Sequence, residues 1–218
     1  DSVGAAQPIT ASPVVYNHAQ GGKIVIFGTG KLFSDADALD TSVQTTYAVW
    51  DKTADVAFSR PMVRANLTGR TLNAFKGTGS AASTTFFGIT DVATIDWTVS
   101  RGWRIDLQVT LPLELGQTVA TVLQPRVVYP ALVAGFDTAL ISTVAPAQGV
   151  LGVCDSLTGS ALNLLLPVQS GLNPTNKTFD TNGSGSASGG DAYAVGYSTA
   201  ADGVDVVVRS SNVDGSDG

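Results

Sequence analysis

Residues Gly21–Trp50 read GGKIVIFGTGKLFSDADALDTSVQTTYAVW, and Asp51 follows. The apolar run Lys23–Phe27 stops at Gly28-Thr29-Gly30. An acidic loop with Ser34, Asp35, Asp37 and Asp40 comes next, and a second strand is predicted over Thr45–Trp50. A continuous apolar run bounded by glycine marks a strand buried on both faces. The paired glycines permit a sharp backbone turn where a side chain would clash.

Upstream lies Pro8-Ile9-Thr10-Ala11-Ser12-Pro13-Val14-Val15, and the closing strand ends Tyr47-Ala48-Val49-Trp50-Asp51. In this order the pieces resemble a blade of the β-propeller domain of the PilY/PilC family of type IV pilus tip proteins. There a P-I-T-x-x-P-x-V strand leads into V-x-F-G-T-G-K, an acidic loop and Y-x-x-W-D. Arg101-Gly102-Trp103-Arg104-Ile105-Asp106-Leu107, preceded by Trp97, is similar to the family's R-G-W-x-x-D-L segment. Val150–Leu157 running into Thr158-Gly159 is similar to its strand with a T-G turn.

The resemblance implies an all-β fold: a partial or reduced β-propeller of antiparallel blades, forming the C-terminal portion of a larger propeller. Blade-like units are predicted near residues 25, 105 and 150. A closed propeller needs at least about four blades of four strands, so open sheet edges able to pair with another chain are expected. Residues 1–178 are assigned to blades, 179–191 to a Gly/Ser/Asp loop, and 192–218 to final strands and a frayed tail. Further strands are predicted at Pro13–Tyr16, Val56–Ser59, Phe86–Ile89 and Asp96–Val99, and the resemblance implies others at Glu114–Val119, Val127–Val133 and Thr138–Thr143. Thr78–Thr85 (GTGSAAST) reads as a low-complexity loop.

Composition agrees with an all-β chain rich in turns: 218 residues, 44% hydrophobic, 14% charged, 24 glycines. The net charge of −6 argues against nucleic acid or an anionic membrane as partner. No apolar run reaches the ~18 residues of a membrane span. A start at Asp1-Ser2-Val3-Gly4 shows no signal peptide, so a secreted form implies one removed or lying upstream. A single cysteine, Cys154, rules out an internal disulfide and a thiolate metal cage; it reads as a small core residue.

The sharpest candidate site is Asp180-Thr181-Asn182-Gly183-Ser184-Gly185-Ser186-Ala187-Ser188-Gly189-Gly190-Asp191. Ca2+ takes about 6–8 oxygens from a curling loop of about 12 residues. Asp180 falls at position one, Asn182 at three, Ser184 at five, Ser186 at seven through its carbonyl, Ser188 at nine and Asp191 at twelve, with Gly185 at the sharp turn. Serine at five and aspartate at twelve leave two formal charges, so affinity is expected at only ~10⁻⁴–10⁻³ M. The alternative is a flexible Gly/Ser linker.

Asp35, Asp37 and Asp40 read as a solvated loop, or else as a cation site shared with Asp51. His18, the single histidine, lies in a polar turn and is expected at the surface. Trp50, Trp97 and Trp103 are expected to fill gaps between sheets, the alternative being a carbohydrate-stacking set. Gly28-Thr29-Gly30-Lys31 lacks the spacing and following helix of a phosphate loop. The tail acids of Asp202–Asp205 and Asp214–Asp217 read as a turn and a frayed end.

By resemblance the function is that of a non-enzymatic cell-surface component of type IV pili, supporting pilus biogenesis and surface adhesion, with modulation by calcium. The implied partners are pilus minor subunits or other pilus components and a host or abiotic surface. The implied location is extracellular, at the pilus tip or outer membrane of a Gram-negative bacterium. The alternatives are a self-assembling filament subunit and a fragment of a quinoprotein-type propeller enzyme.

Overall fold

The computed structural model describes residue 4 and residues 6–52, 62–113, 116–133, 137–146 and 160–200. In chain order the elements are β1 (Val14–Asn17), β2 (Lys23–Gly28), α1 (Asp35–Leu39), β3 (Gln44–Asp51), β4 (Thr68–Arg70), β5 (Leu72–Lys76) and β6 (Thr85–Ile89). There follow β7 (Gly102–Leu107), β8 (Val109–Thr110), β9 (Val122–Leu123), β10 (Leu132–Val133), β11 (Thr138–Ala145), β12 (Ser160–Pro167) and β13 (Gly196–Ala200). The architecture is all-β apart from the five-residue α1 and short 3-10 turns.

Two large sheets hold the chain. The first is five-stranded, ordered β1-β2-β3-β7-β4; the second is six-stranded, ordered β10-β11-β12-β13-β6-β5. Pairing is antiparallel except for β4, which runs parallel to β7. Alternation along each strand sends one set of side chains inward. Ile24, Ile26, Ala48, Trp103, Ile105 and Leu107 of the first sheet thereby join Phe87, Ile89, Ile141, Leu162, Leu164 and Leu166 of the second in one buried core. Polar groups bridge the sheets across it: Trp103 Nε1 donates to the Val168 carbonyl at 2.8 Å and the Tyr16 hydroxyl to the Thr138 carbonyl at 2.9 Å.

The glycines of GTGK form a notch. A Cβ on Gly28 would lie 2.2 Å from Val127 Cγ2, and one on Gly30 would lie 2.6 Å from Arg126 Cβ. Only a bare backbone admits this crossing segment, which the Val127 N–H fastens to the Thr29 carbonyl at 3.0 Å. Arg126 also pairs with Val144 of β11, so one dipeptide links the end of β2 to the second sheet. The buried Arg126 guanidinium then reaches over to α1 and donates to the carbonyls of Lys31, Asp37 and Asp40. A cation on the C-terminal carbonyls of a helix satisfies groups the helix itself leaves unpaired.

Several expectations change here. Residues 25 and 105 do not centre separate blades, because β2 and β7 lie in the same sheet, both next to β3. The third centre and the strands at Val56–Ser59 and Val150–Leu157 lie outside the described residues, as do Cys154 and the tail acids. Asp96–Val99 is a turn, not a strand, because the Asp96 carboxylate takes the Thr98 N–H and hydroxyl and curls the chain locally. Residues 116–119 form no strand, and Val127–Val133 contributes only β10. β2 buries Ile24 and Ile26 fully but leaves Val25 and Phe27 half-buried on the outer side, so its two faces differ.

Replacing Arg126 with Met should cost ~1–3 kcal/mol, because buried carbonyls lose their donor. Removing the exposed Lys31 side chain, which pairs with Asp37 at 2.7 Å, should cost far less. Urea unfolding of both variants checks this; equal losses would show that the guanidinium clamp does not hold α1.

Candidate functional site

The Asp180–Asp191 loop is no free linker. The buried Asp191 carboxylate draws the two ends of the loop together. Its Oδ1 accepts from the Thr181 N–H at 2.7 Å and the Asn182 N–H at 3.0 Å, and its Oδ2 from the Ser188 N–H at 2.7 Å. The Thr181 and Ser188 hydroxyls add longer contacts at 3.2 and 3.3 Å. Burial opposes the charge of Asp191, but the N–H donors of Ser188, Asn182 and Thr181 outweigh it and hold the carboxyl below its ordinary range. Asp180 shapes the outer half, accepting from the Ser184 N–H at 2.9 Å and the Gly185 N–H at 2.6 Å. Gly185 supplies the sharp turn with φ +97°.

This loop clasps a second one that the sequence places about a hundred residues away. The Thr78 N–H donates to the Thr181 carbonyl at 2.8 Å, and the Ser80 hydroxyl to the Gly183 carbonyl at 2.7 Å. A Cβ on Gly79 would fall 2.4 Å from the Asn182 carbonyl oxygen, and one on Gly183 would fall 1.9 Å from Ser80 Oγ. The small residues of GTGSAAST and TNGSGSASGG therefore let two backbones touch. Lys177 secures the rear: its ammonium donates to the Asp191 carbonyl and lies 4.2 Å from the centre of the exposed Tyr193 ring.

Of the six residues expected to ligate calcium, Asp180, Asn182, Ser184 and Ser186 share the outer turn. The Asn182 side-chain oxygen takes the Ser184 N–H at 2.9 Å, and the Ser184 hydroxyl donates to the Ser186 carbonyl at 3.1 Å. Ser188 and Asp191 sit on the opposite side, engaged with each other. A cation needs free lone pairs, whereas Asp191 faces a ring of N–H donors. Among the described residues no three His, Cys, Asp or Glu side chains stand together as a metal-binding group. In this arrangement Asp191 is committed to closing the loop, and one carboxylate, Asp180, remains on the outer side.

The other acidic cluster is structural as well. Ser34 caps α1, and Asp37 completes a capping box by accepting the Phe33 and Ser34 N–H groups at 2.9 and 3.1 Å. Lys31, with these N–H donors, lowers the Asp37 pKa from 3.8 to about 2. A helix does follow GTGK, contrary to expectation, but its N-terminus is filled by its own cap. Two cations meet the cluster, Lys31 on the Asp37 carboxylate and Arg126 on the carbonyls, and Asp51 stands in β3.

His18 is buried, not exposed. Its ring stacks on Trp50 at 4.1 Å and meets the edge of Trp97 at 4.3 Å, while the Gln20 N–H donates to Nδ1. Burial, aided by the charge of Lys52, lowers its pKa. Its neighbours in sequence are polar, but the indoles brought in by β3 and the 97–99 turn pack against it. The tryptophans serve the interior, with Trp50 and Trp103 fully buried.

A network on the outer face of the first sheet was not foreseen. Arg64 forms a two-pronged pair with Asp106 and donates to the Tyr47 hydroxyl, which in turn donates to Gln7 at 2.7 Å. Thr45 and Arg104 complete the Asp106 shell at 2.8 and 3.0 Å. Burial disfavours the Asp106 charge, yet Arg64 and Thr45 overcome it and depress the pKa. The aspartate of the R-G-W-x-x-D-L segment was the one available signal.

Comparisons with known proteins set this geometry in context. Residues 1–86 match the model of the PilY1 beta-propeller domain. The type IV pilus biogenesis factor PilY1 of Pseudomonas aeruginosa is 40% identical over 121 residues, covering 50% of this chain and 10% of that protein. PilY1 from another strain of that species is 36% identical over 128 residues, 47% of this chain and 10% of that protein. The crystal structure of the Pseudomonas aeruginosa PilY1 C-terminal domain superposes with a TM-score of 0.67 at 27% identity. That match covers 91% of this chain and 41% of the other. The chain thus spans about a tenth of the length of these curated relatives. Its similarity to the C-terminal propeller region of the PilY/PilC family holds in both sequence and fold.

Asp191→Asn should lower the thermal midpoint by several degrees, equally in chelator and in millimolar calcium. A loss seen only in chelator would return Asp191 to a ligand role. The folded pKa of Asp191 is depressed below 3.8, so its contribution is complete above that pH and disappears as pH falls through the folded value. The variant should therefore lose stability less steeply below pH 3.8 than the parent chain.

Proposed function

We propose that this chain acts as a non-enzymatic cell-surface component of type IV pili, supporting pilus biogenesis and adhesion to surfaces. The observation that carries the reading is the agreement of motif with structure. The residues that resemble the family motif, Gly28-Thr29-Gly30 above all, are those that build the notch joining the two sheets. The likeness to the PilY1 C-terminal domain extends over 91% of the chain. Partners on this reading are other pilus components and a host or abiotic surface, at the pilus tip or outer membrane.

The paired loops suit an adhesive role because they present hydroxyls and backbone groups on a base fixed by Asp191. Calcium enters the proposal only weakly, through Asp180, Asn182, Ser184 and the Ser186 carbonyl. With a single carboxylate on that side, binding belongs at the weak end of the extracellular range, ~10⁻³ M. The filament reading gains little from the sheet edges. The edge strands β1, β4, β5 and β10 are four, three, five and two residues long, and short edges resist strand addition.

Peptide mass spectrometry of pili sheared from the source cells tests the assignment. Peptides of this chain should co-purify with pili at minor-component abundance and vanish from the sheared fraction of a strain lacking the major subunit. Absence from the piliated fraction would overturn the assignment, and major-subunit abundance would favour the filament.

A further inference from the structure

Asn182-Gly183 is the one Asn-Gly step in the sequence, and in the fold neither its Gly183 N–H nor its Asn182 amide nitrogen donates a hydrogen bond among the described residues. We infer that Asn182 is a self-modification site, at which deamidation acts as a slow switch on the clasp between the two loops. The electrophile is the Asn182 side-chain amide, whose oxygen accepts the Ser184 N–H at 2.9 Å. A donor on that oxygen stabilises the charge that develops when its carbon is attacked. The nucleophile is the backbone nitrogen of Gly183. The Gly183 carbonyl is engaged by Ser80 at 2.7 Å, but among the described residues its N–H donates to nothing. The leaving group, Asn182 Nδ2, likewise donates no hydrogen bond among the described residues. Its surroundings are the backbone of Gly190, where a Cβ would fall 3.1 Å away. Asn182 itself is half-buried and the residues after Gly183 are exposed, so water reaches the site.

The chemistry balances with water as the only co-reactant. The Gly183 nitrogen gives its proton to solvent and bonds to the Asn182 side-chain carbon, closing a five-membered imide. The carbon–Nδ2 bond breaks, and the nitrogen leaves as ammonia after taking a proton from water. Water then opens the imide at either carbonyl, yielding aspartate or isoaspartate at position 182. No electrons are transferred.

The two products act differently on the clasp. Aspartate keeps the backbone path and the side-chain oxygen that accepts the Ser184 N–H. Isoaspartate routes the chain through the former side chain and lengthens it by one carbon. That displaces the Asn182 carbonyl, whose oxygen packs where a Cβ on Gly79 would stand. It also shifts the 181–183 segment that holds Thr78 and Ser80. Neither product depends on the chain's place in a pilus.

The test is timed incubation of the folded chain at neutral pH, followed by peptide mapping after digestion in heavy-oxygen water, which marks deamidation arising during preparation. Folded chain should gain one mass unit at Asn182 several-fold faster than at Asn66, Asn73 or Asn176. An isoaspartyl methyltransferase should label part of the product. Hydrogen exchange should show lost protection at the Thr78 amide in the isoaspartate fraction, with protection retained in Asn182→Asp. Asn182→Gln, whose longer side chain closes a six-membered ring slowly, should abolish the signal. The inference is overturned if Asn182 stays unmodified in folded chain while unfolded chain reacts, or if the other asparagines keep pace with it. It is overturned too if the isoaspartate form keeps full protection at Thr78.

Discussion

The structure turns on a steric constraint, the seating of Arg126-Val127 in the notch of Gly28-Thr29-Gly30. Both glycines lack the Cβ that would collide with the crossing segment, standing 2.2 Å from Val127 at one and 2.6 Å from Arg126 at the other. Through that contact the end of β2 meets a segment bridged to β11, and the two sheets share a single core. The same segment places Arg126 where its guanidinium can hold the carbonyls of the α1 loop. One close approach therefore sets sheet packing, the acidic loop and the position of the conspicuous GTGK motif. The motif belongs to packing.

A second theme is the use of carboxylates as internal acceptors. Asp37 and Asp191 read as ligands or surface charge in a linear view, and Asp106 only as part of a strand motif. In the fold, Asp37 caps a helix, Asp106 anchors arginines and Asp191 closes a loop. In each case donors outweigh the cost of burial and depress the pKa. These acids shape a rigid scaffold on which exposed loops can carry recognition, which is the physical content of the proposed surface role.

Strand positions set by local pattern were legible in the sequence. The apolar run of β2 and the alternation of Trp103, Ile105 and Leu107 in β7 fall where the residue pattern places them, and the Thr138–Thr143 part of β11 falls where the family resemblance places it. What escaped depends on contacts distant in sequence. His18 looks polar until Trp50 and Trp97 close over it. GTGSAAST and TNGSGSASGG each resemble a linker, and only their mutual contact gives either a shape. The pairing of β13 with both β12 and β6 brings residues 196–200 into the middle of a sheet that the sequence assigned to a terminal segment. In the calcium reading, spacing placed Asp191 as the last ligand, but spacing cannot report that its oxygens already face N–H donors.

The most direct test of the account is a double-mutant cycle between Gly28 and Val127, measured by urea unfolding. Gly28→Ala alone should cost ~1–3 kcal/mol by overpacking. Combining it with Val127→Gly should recover part of that loss, leaving a coupling of about 1 kcal/mol or more. Strict additivity of the two substitutions would contradict the notch as the join between the sheets.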